Sequence, residues 1–155
     1  CSSAWMEAAL LDPNGGQRWV IYDEAWRLMS HAPLLRRMDA QWRLARHYGI
    51  ANALVFHKLT DLDNVGDSGS AMRALASSLL ANAETRIIYR QESDQLGITG
   101  EILGLTGTEQ KLLPTLGTGQ GLWRVKDHSY VTQHQLHPAE LELFNTATRM
   151  TGGVA

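Results

Sequence analysis

Three short apolar runs limit what this chain can fold into: RWVIY at 18–22, NALVF at 52–56 and TRIIY at 85–89. Each carries β-branched or aromatic residues and is bounded by polar or turn residues, so each reads as a strand. Helical spacing fills the stretches between them. From Pro33 to Gly49, Leu35, Met38, Trp42 and Ala45 fall on one stripe, and Arg36, Arg37, Arg43 and Arg46 lie on the other face. A further helix is expected near Ala71 to Ala83, after the polar loop TDLDNVGDSGS. Strands alternating with helices imply an α/β domain with a mostly parallel sheet flanked by helices, and strands of that kind are expected to be covered on both faces.

The last third of the sequence departs from that alternation. A short helix is expected near Asp94 to Leu103, and the pair Thr106 and Glu109 has the spacing of a capping box that opens a helix running to Leu116. GTGQG then makes a turn. LWRVK at 122–126 and SYVTQHQ at 129–135 flank Asp127 and His128 in hairpin spacing, and Pro138 starts a last helix through Phe144. The C-terminal TGGVA reads as frayed. At the other end Ser2 or Ser3 can cap a helix through Leu10 or Leu11, followed by the turn cluster from Asp12 to Gly16. No internal repeat or low-complexity segment is present.

Composition narrows the class further. Fourteen basic against sixteen acidic side chains give a net charge of −2 and a pI near 6.3. A strongly basic nucleic-acid footprint over the whole chain is therefore excluded, although Arg36, Arg37, Arg43 and Arg46 against Asp39 leave one helix locally basic. With 155 residues the chain has the size of one domain, and its apolar runs fall short of a membrane span. Cys1 is the single cysteine, so neither an internal disulfide nor a cysteine-based metal site can form, which fits a reducing, cytoplasmic setting. The opening CSSAWMEAALLD has neither an initiator Met nor a signal-peptide layout and reads as part of something longer.

The most informative stretch is RWVIYDEAWRLM, where a strand ends in Asp23 and Glu24. Two carboxylates there sit at the carboxyl edge of a sheet, where α/β proteins bind ligands. In P-loop ATPases an Asp at this place orients Mg²⁺ and an adjacent Glu polarises the attacking water. On the residues alone, a strand-end turn with two solvated acids is an equally open reading.

In order and spacing, YDEAWRLM, RLARHYG and ALVFHKLTDL resemble the type IV secretion and conjugation ATPases of the VirB/TraC type, within the HerA–FtsK superfamily. The resemblance spans most of the chain and implies a partial RecA-like P-loop ATPase domain. It matches Asp23 and Glu24 to the Walker B pair, Trp26 to the aromatic that follows, Arg46 to a helix arginine, and Asp61 to a downstream acid. His57 stands where the family's sensor strand carries Gln, and an imidazole can also donate to a phosphate oxygen or a lytic water. By the same resemblance Glu24 and His57 are catalytic, Asp23 holds Mg²⁺ through water, and ATP is the nucleotide. Arg86, Arg90 and Arg124 are the candidates for the arginine that a neighbouring subunit contributes in ring-shaped relatives.

One element of that family is missing. No G-x-x-x-x-G-K-[ST] loop occurs in the 155 residues, and GTGQG at 117–121 lacks the Lys and the Ser/Thr and precedes a strand. The resemblance therefore implies the C-terminal half of an ATPase domain, with Walker A upstream, inactive alone. It further implies a hexameric homo-oligomer, contacts with other secretion-channel components, a place at the inner face of the membrane through those partners, and possible contact with DNA. The absent P-loop strand would lie between 53–56 and 85–89, so direct pairing of those strands is expected, in the order 19–22, 53–56, 85–89 and then the hairpin. A non-catalytic interaction module and a DNA-pumping FtsK-like motor are the alternatives. His128, His134 and His137 lack accompanying cysteines and make a weak case for zinc, and the five tryptophans read as core packing rather than base stacking.

Overall fold

The computed structural model describes Asp12 and residues 16–45, 47–67 and 69–144. The helix expected before Leu11, Trp5, Arg46 and the C-terminal TGGVA lie outside these residues. The chain is α/β, as its alternation requires. β1 (Arg18–Tyr22) leads through α1 (Ala25–Met29) and α2 (Ala32–Ala45) to β2 (Ile50–Leu54). A 3₁₀ turn (Leu59–Asn64) and α3 (Ala71–Ala81) then lead to β3 (Thr85–Tyr89). After α4 (Leu96–Leu103) and α5 (Gly107–Leu112) come the strands β4 (Gln120–Val125) and β5 (His128–Gln133), and then α6 (Pro138–Phe144).

Local chemistry sets several boundaries. Ser70 caps α3 by accepting from the Arg73 N–H at 3.2 Å. The capping box expected from Thr106 and Glu109 is formed in full at the start of α5. Gly49, at φ 65°, takes the left-handed turn between α2 and β2 that a residue with a Cβ adopts only at a cost. The hairpin turns at Lys126 and Asp127, one residue earlier than its spacing suggests, with Lys126 left-handed at φ 53°. Of GTGQG, Thr118 and Gly119 make the turn, and Gln120 and Gly121 already belong to β4.

The strands form two sheets instead of one. β1 and β2 are parallel, with Tyr22 opposite Leu54, whereas β3, β4 and β5 make an antiparallel sheet in that order. The expected ladder between the second and third strands is absent; β3 takes its partner on the other side, with Arg86 opposite Arg124 and Ile88 opposite Leu122. The helix layer accounts for this. Met29, Leu35, Met38, Val65 and Leu79 form one core under the parallel sheet, and Ile88, Leu105, Leu113, Leu116 and Leu122 form a second under the antiparallel one. The two cores meet at α4, whose Ile102 packs on the first and whose Leu96 and Leu103 pack on the second, and packed elements lie about 8–10 Å apart against about 4.8 Å for paired strands. Full burial of a side chain such as Leu35 contributes about 1.5–3 kcal/mol. The core contacts thus fix where the strands lie, and β2 and β3 each keep one edge unpaired among the described residues.

Coverage of β1 also differs from expectation. Val20 and Tyr22 face the first core, but Trp19 is 67% and Ile21 66% exposed. On the second sheet Ile87, Tyr89 and Tyr130 are likewise exposed while Ile88 and Leu122 are buried. The described helices cover one face only. Trp19 therefore departs from the core role expected for the tryptophans, whereas Trp26 and Trp42 pack against the first core.

Candidate active site

The end of β1 is tied to the end of β2. The Val55 N–H donates to the Tyr22 carbonyl at 2.9 Å, and the Ala25 N–H donates to the Val55 carbonyl at 3.1 Å. Ala25 and Met29, both fully buried, anchor α1 immediately after the acids. Between strand and helix the chain turns sharply, and Glu24 takes the turn in the left-handed region at φ 52° and ψ 47°. For a residue with a Cβ this costs about 1–2 kcal/mol. The strain falls on one of the two acids that the sequence singles out, as backbone outliers often do at functional sites.

Both oxygens of the Glu24 carboxylate are engaged. The Trp26 indole N–H donates to Oε2 at 2.7 Å, and His57 Nε2 lies 2.8 Å from Oε1. The two donors differ in setting: Trp26 is half-buried against the core, whereas the His57 side chain is 73% exposed. Asp23 is exposed, and its Oδ1 accepts from the Glu24 N–H at 3.1 Å. Asp23, Glu24 and His57 thus lie together at the carboxyl edge of the parallel sheet. His57 is not aimed away at an open space; it is already paired with the acid. Asp61 is in the 3₁₀ turn that follows, and Arg46 is outside the described residues.

The three candidate arginines, Arg86 in β3, Arg124 in β4 and Arg90 just past the end of β3, have different surroundings. Arg86 donates to the carbonyls of Leu103 at 2.9 Å and Ala81 at 3.1 Å. Arg124 donates to Leu103 and Gly104, each at 2.9 Å, and its Nε lies 3.5 Å from Glu109. Both guanidinium groups therefore cap helix C-termini, where cations are favoured. They border a polar cleft of about 180 Å³ with Glu84 and Lys126, on the antiparallel sheet. Arg90 is exposed and has no hydrogen bond or ion pair among the described residues.

Burial by itself would raise the Glu109 carboxyl, yet hydrogen bonds from Ser129 and from the Thr106 backbone and hydroxyl, with the charge of Arg124, hold it below the usual carboxylate range. Burial pushes the Tyr22 phenol up. On α2, Asp39 pairs with Arg43 at 2.9 Å. No cluster of three metal-ligating side chains occurs among the described residues, and His128 and His134 lie exposed on the hairpin and beside it. His134 packs its ring near Trp123, at 5.5 Å between centroids.

The motif marked Trp26 as an aromatic but not as a ligand of Glu24. Its position two residues beyond the acid, on the first turn of a helix, was the available signal.

The class that this arrangement defines is an α/β domain with two acids and a histidine gathered at the carboxyl edge of its parallel strands. A solved structure of VirB4 of Thermoanaerobacter pseudethanolicus matches 90% of the chain with a TM-score of 0.73, at 19% sequence identity. The chain spans 36% of that structure's length. At this identity the likeness is one of fold. No family model matches the sequence, and no curated protein matches it.

Proposed function

We propose that the chain supplies the Walker B half of a RecA-like ATPase of the type IV secretion kind, whose phosphate loop lies outside these 155 residues. The observation that carries this reading is the joining of Asp23, Glu24 and His57 at one sheet edge, with Glu24 and His57 2.8 Å apart. The likeness in fold to VirB4 supports it.

The residues suit Mg²⁺-ATP. Asp23 has one carboxylate oxygen on the Glu24 N–H and the other without a partner among the described residues, a hard oxygen donor of the kind Mg²⁺ takes, directly or through water. When bound, Mg²⁺-ATP would supply the electrophilic γ-phosphate. Glu24 would then accept the proton of the attacking water, and His57, released from the carboxylate, would donate to that water or to a phosphate oxygen. Arg90, just past the end of β3, is the candidate arginine left to reach a neighbouring subunit in a ring, since Arg86 and Arg124 are engaged with carbonyls. In the full-length ATPase this hydrolysis would drive movement of protein or DNA at the inner face of the membrane, in a hexamer with other channel components. No described helix is long and apolar enough to cross a membrane itself.

The test is made in the full-length protein. Glu24→Gln should keep nucleotide binding and lose most hydrolysis, and Asp23→Asn should weaken Mg²⁺-dependent binding as well. Wild-type turnover in Glu24→Gln would remove Glu24 from the mechanism.

A further inference from the structure

Glu24 presents a problem of positioning. Its backbone is left-handed and its side chain has three rotatable bonds, at the open edge of a two-stranded sheet. A base free to sweep that edge would spend little time where a water molecule needs it. Two side-chain donors restrain it, and they are not equivalent. His57 is 73% exposed and comes from a loop, so solvent or a nucleotide can take its place. Trp26 is held on the first turn of α1, between the fully buried Ala25 and Met29, with its ring packed on the core.

We propose that Trp26 is the positioning residue for Glu24, its indole N–H fixing Oε2 so that Oε1 is the oxygen offered to water when His57 is displaced. This rests on the reading of Glu24 as the base. The indole has a donor and no acceptor, so it holds an unprotonated carboxylate oxygen and cannot serve as a base itself. The 2.7 Å contact is in the range of a charge-assisted hydrogen bond. A Gln at position 24 can keep that contact through its amide oxygen and still lose the basic group. Glu24→Gln therefore separates geometry from chemistry.

The experiment is a double-mutant cycle in the full-length ATPase, with steady-state hydrolysis and nucleotide binding measured on each protein. Trp26→Phe keeps an aromatic ring against the core and removes the N–H together with part of the indole body. It should lower kcat roughly 10- to 100-fold, the scale of a misplaced catalytic group, and leave both the KM for ATP within about twofold and the number of nucleotide sites per chain unchanged, a site count that loss of folding would reduce. In the Glu24→Gln background the same substitution should cost nothing further, because the base it positions is already gone. Two results would overturn the inference while Glu24→Gln remains impaired: a kcat for Trp26→Phe within about twofold of wild type, or an equal loss in both backgrounds. Full activity in Glu24→Gln would instead defeat the base assignment and the inference together. An unchanged number of nucleotide sites per chain in Trp26→Phe shows that the variant is folded; should it fall, Trp26→Met, which fills apolar space and carries no donor, is put through the same cycle and judged by the same outcomes.

Discussion

Arg86 and Arg124 donate to the same acceptor, the carbonyl oxygen of Leu103, each at 2.9 Å. They are opposite each other across β3 and β4, so the sheet delivers two guanidinium groups to the C-terminal end of α4. Two like charges side by side would repel on their own. Here the carbonyls of Leu103, Gly104 and Ala81 and the Glu109 carboxylate offset that repulsion.

Removal of either arginine should therefore weaken the fold. Arg124→Ala is expected to cost about 1.5–3 kcal/mol, the range for hydrogen bonds involving a charged group, and Arg86→Ala a similar amount. Because Leu103 keeps one donor in each single variant and none in the double, the double variant should lose more than the sum of the two. Urea denaturation of the three proteins measures this. Strictly additive losses, or single variants as stable as wild type, would show that the shared carbonyl carries no weight.

Glu109 ties the start of α5 to β5 and to Arg124, and its carboxyl is held low in the folded chain. The sign follows from linkage: a group with a depressed folded pKa binds protons more readily when unfolded, so its contribution is complete above the unfolded value of about 4.3. It is lost as pH falls through the folded value. Thermal melts of wild type and Glu109→Gln between pH 7 and pH 3 should thus show a constant gap in Tm at the neutral end and a closing gap below about pH 4.3. A gap that widens on acidification would contradict the assignment.

The legible parts of the molecule were those set by neighbouring residues. The stripe Leu35, Met38, Trp42 and Ala45, the capping box of Thr106 and Glu109, and the helix opened by Pro138 depend on contacts within a few positions, and all three formed as the spacing required. The shared edge of Asp23, Glu24 and His57 was legible for a related reason: parallel neighbours end on the same side. Strand partners were not. RWVIY looks alike whether one face or two are covered, so the exposure of Trp19 and Ile21 could not be read from it. TRIIY likewise carries no mark of which edge is paired, and the choice of β4 over β2 came from the position of the second core. Arg86 and Arg124 read as candidates for a neighbouring subunit's site because their acceptors are backbone carbonyls, some of them 17 to 21 residues away, which leave no trace in residue type.

The backbone of Glu24 allows a prediction in which fold and chemistry pull in opposite directions. At φ 52° a side chain of any kind strains the chain by about 1–2 kcal/mol, and glycine does not. Glu24→Ala removes the contacts to Trp26 and His57 and keeps the strain. Glu24→Gly removes the same contacts, relieves the strain, and gives back part of the gain through a more flexible unfolded chain, about 0.4–1 kcal/mol. The glycine variant should thus be the more stable of the two by roughly 1 kcal/mol. This reverses the order expected of the pair at an ordinary position with negative φ. Denaturant unfolding of the two variants side by side decides the matter, and an alanine variant as stable as the glycine one would mean that Glu24 carries no backbone strain. If the order holds, a carboxylate is kept where the fold alone would favour glycine, and neither variant, lacking the carboxylate, should support hydrolysis in the full-length ATPase.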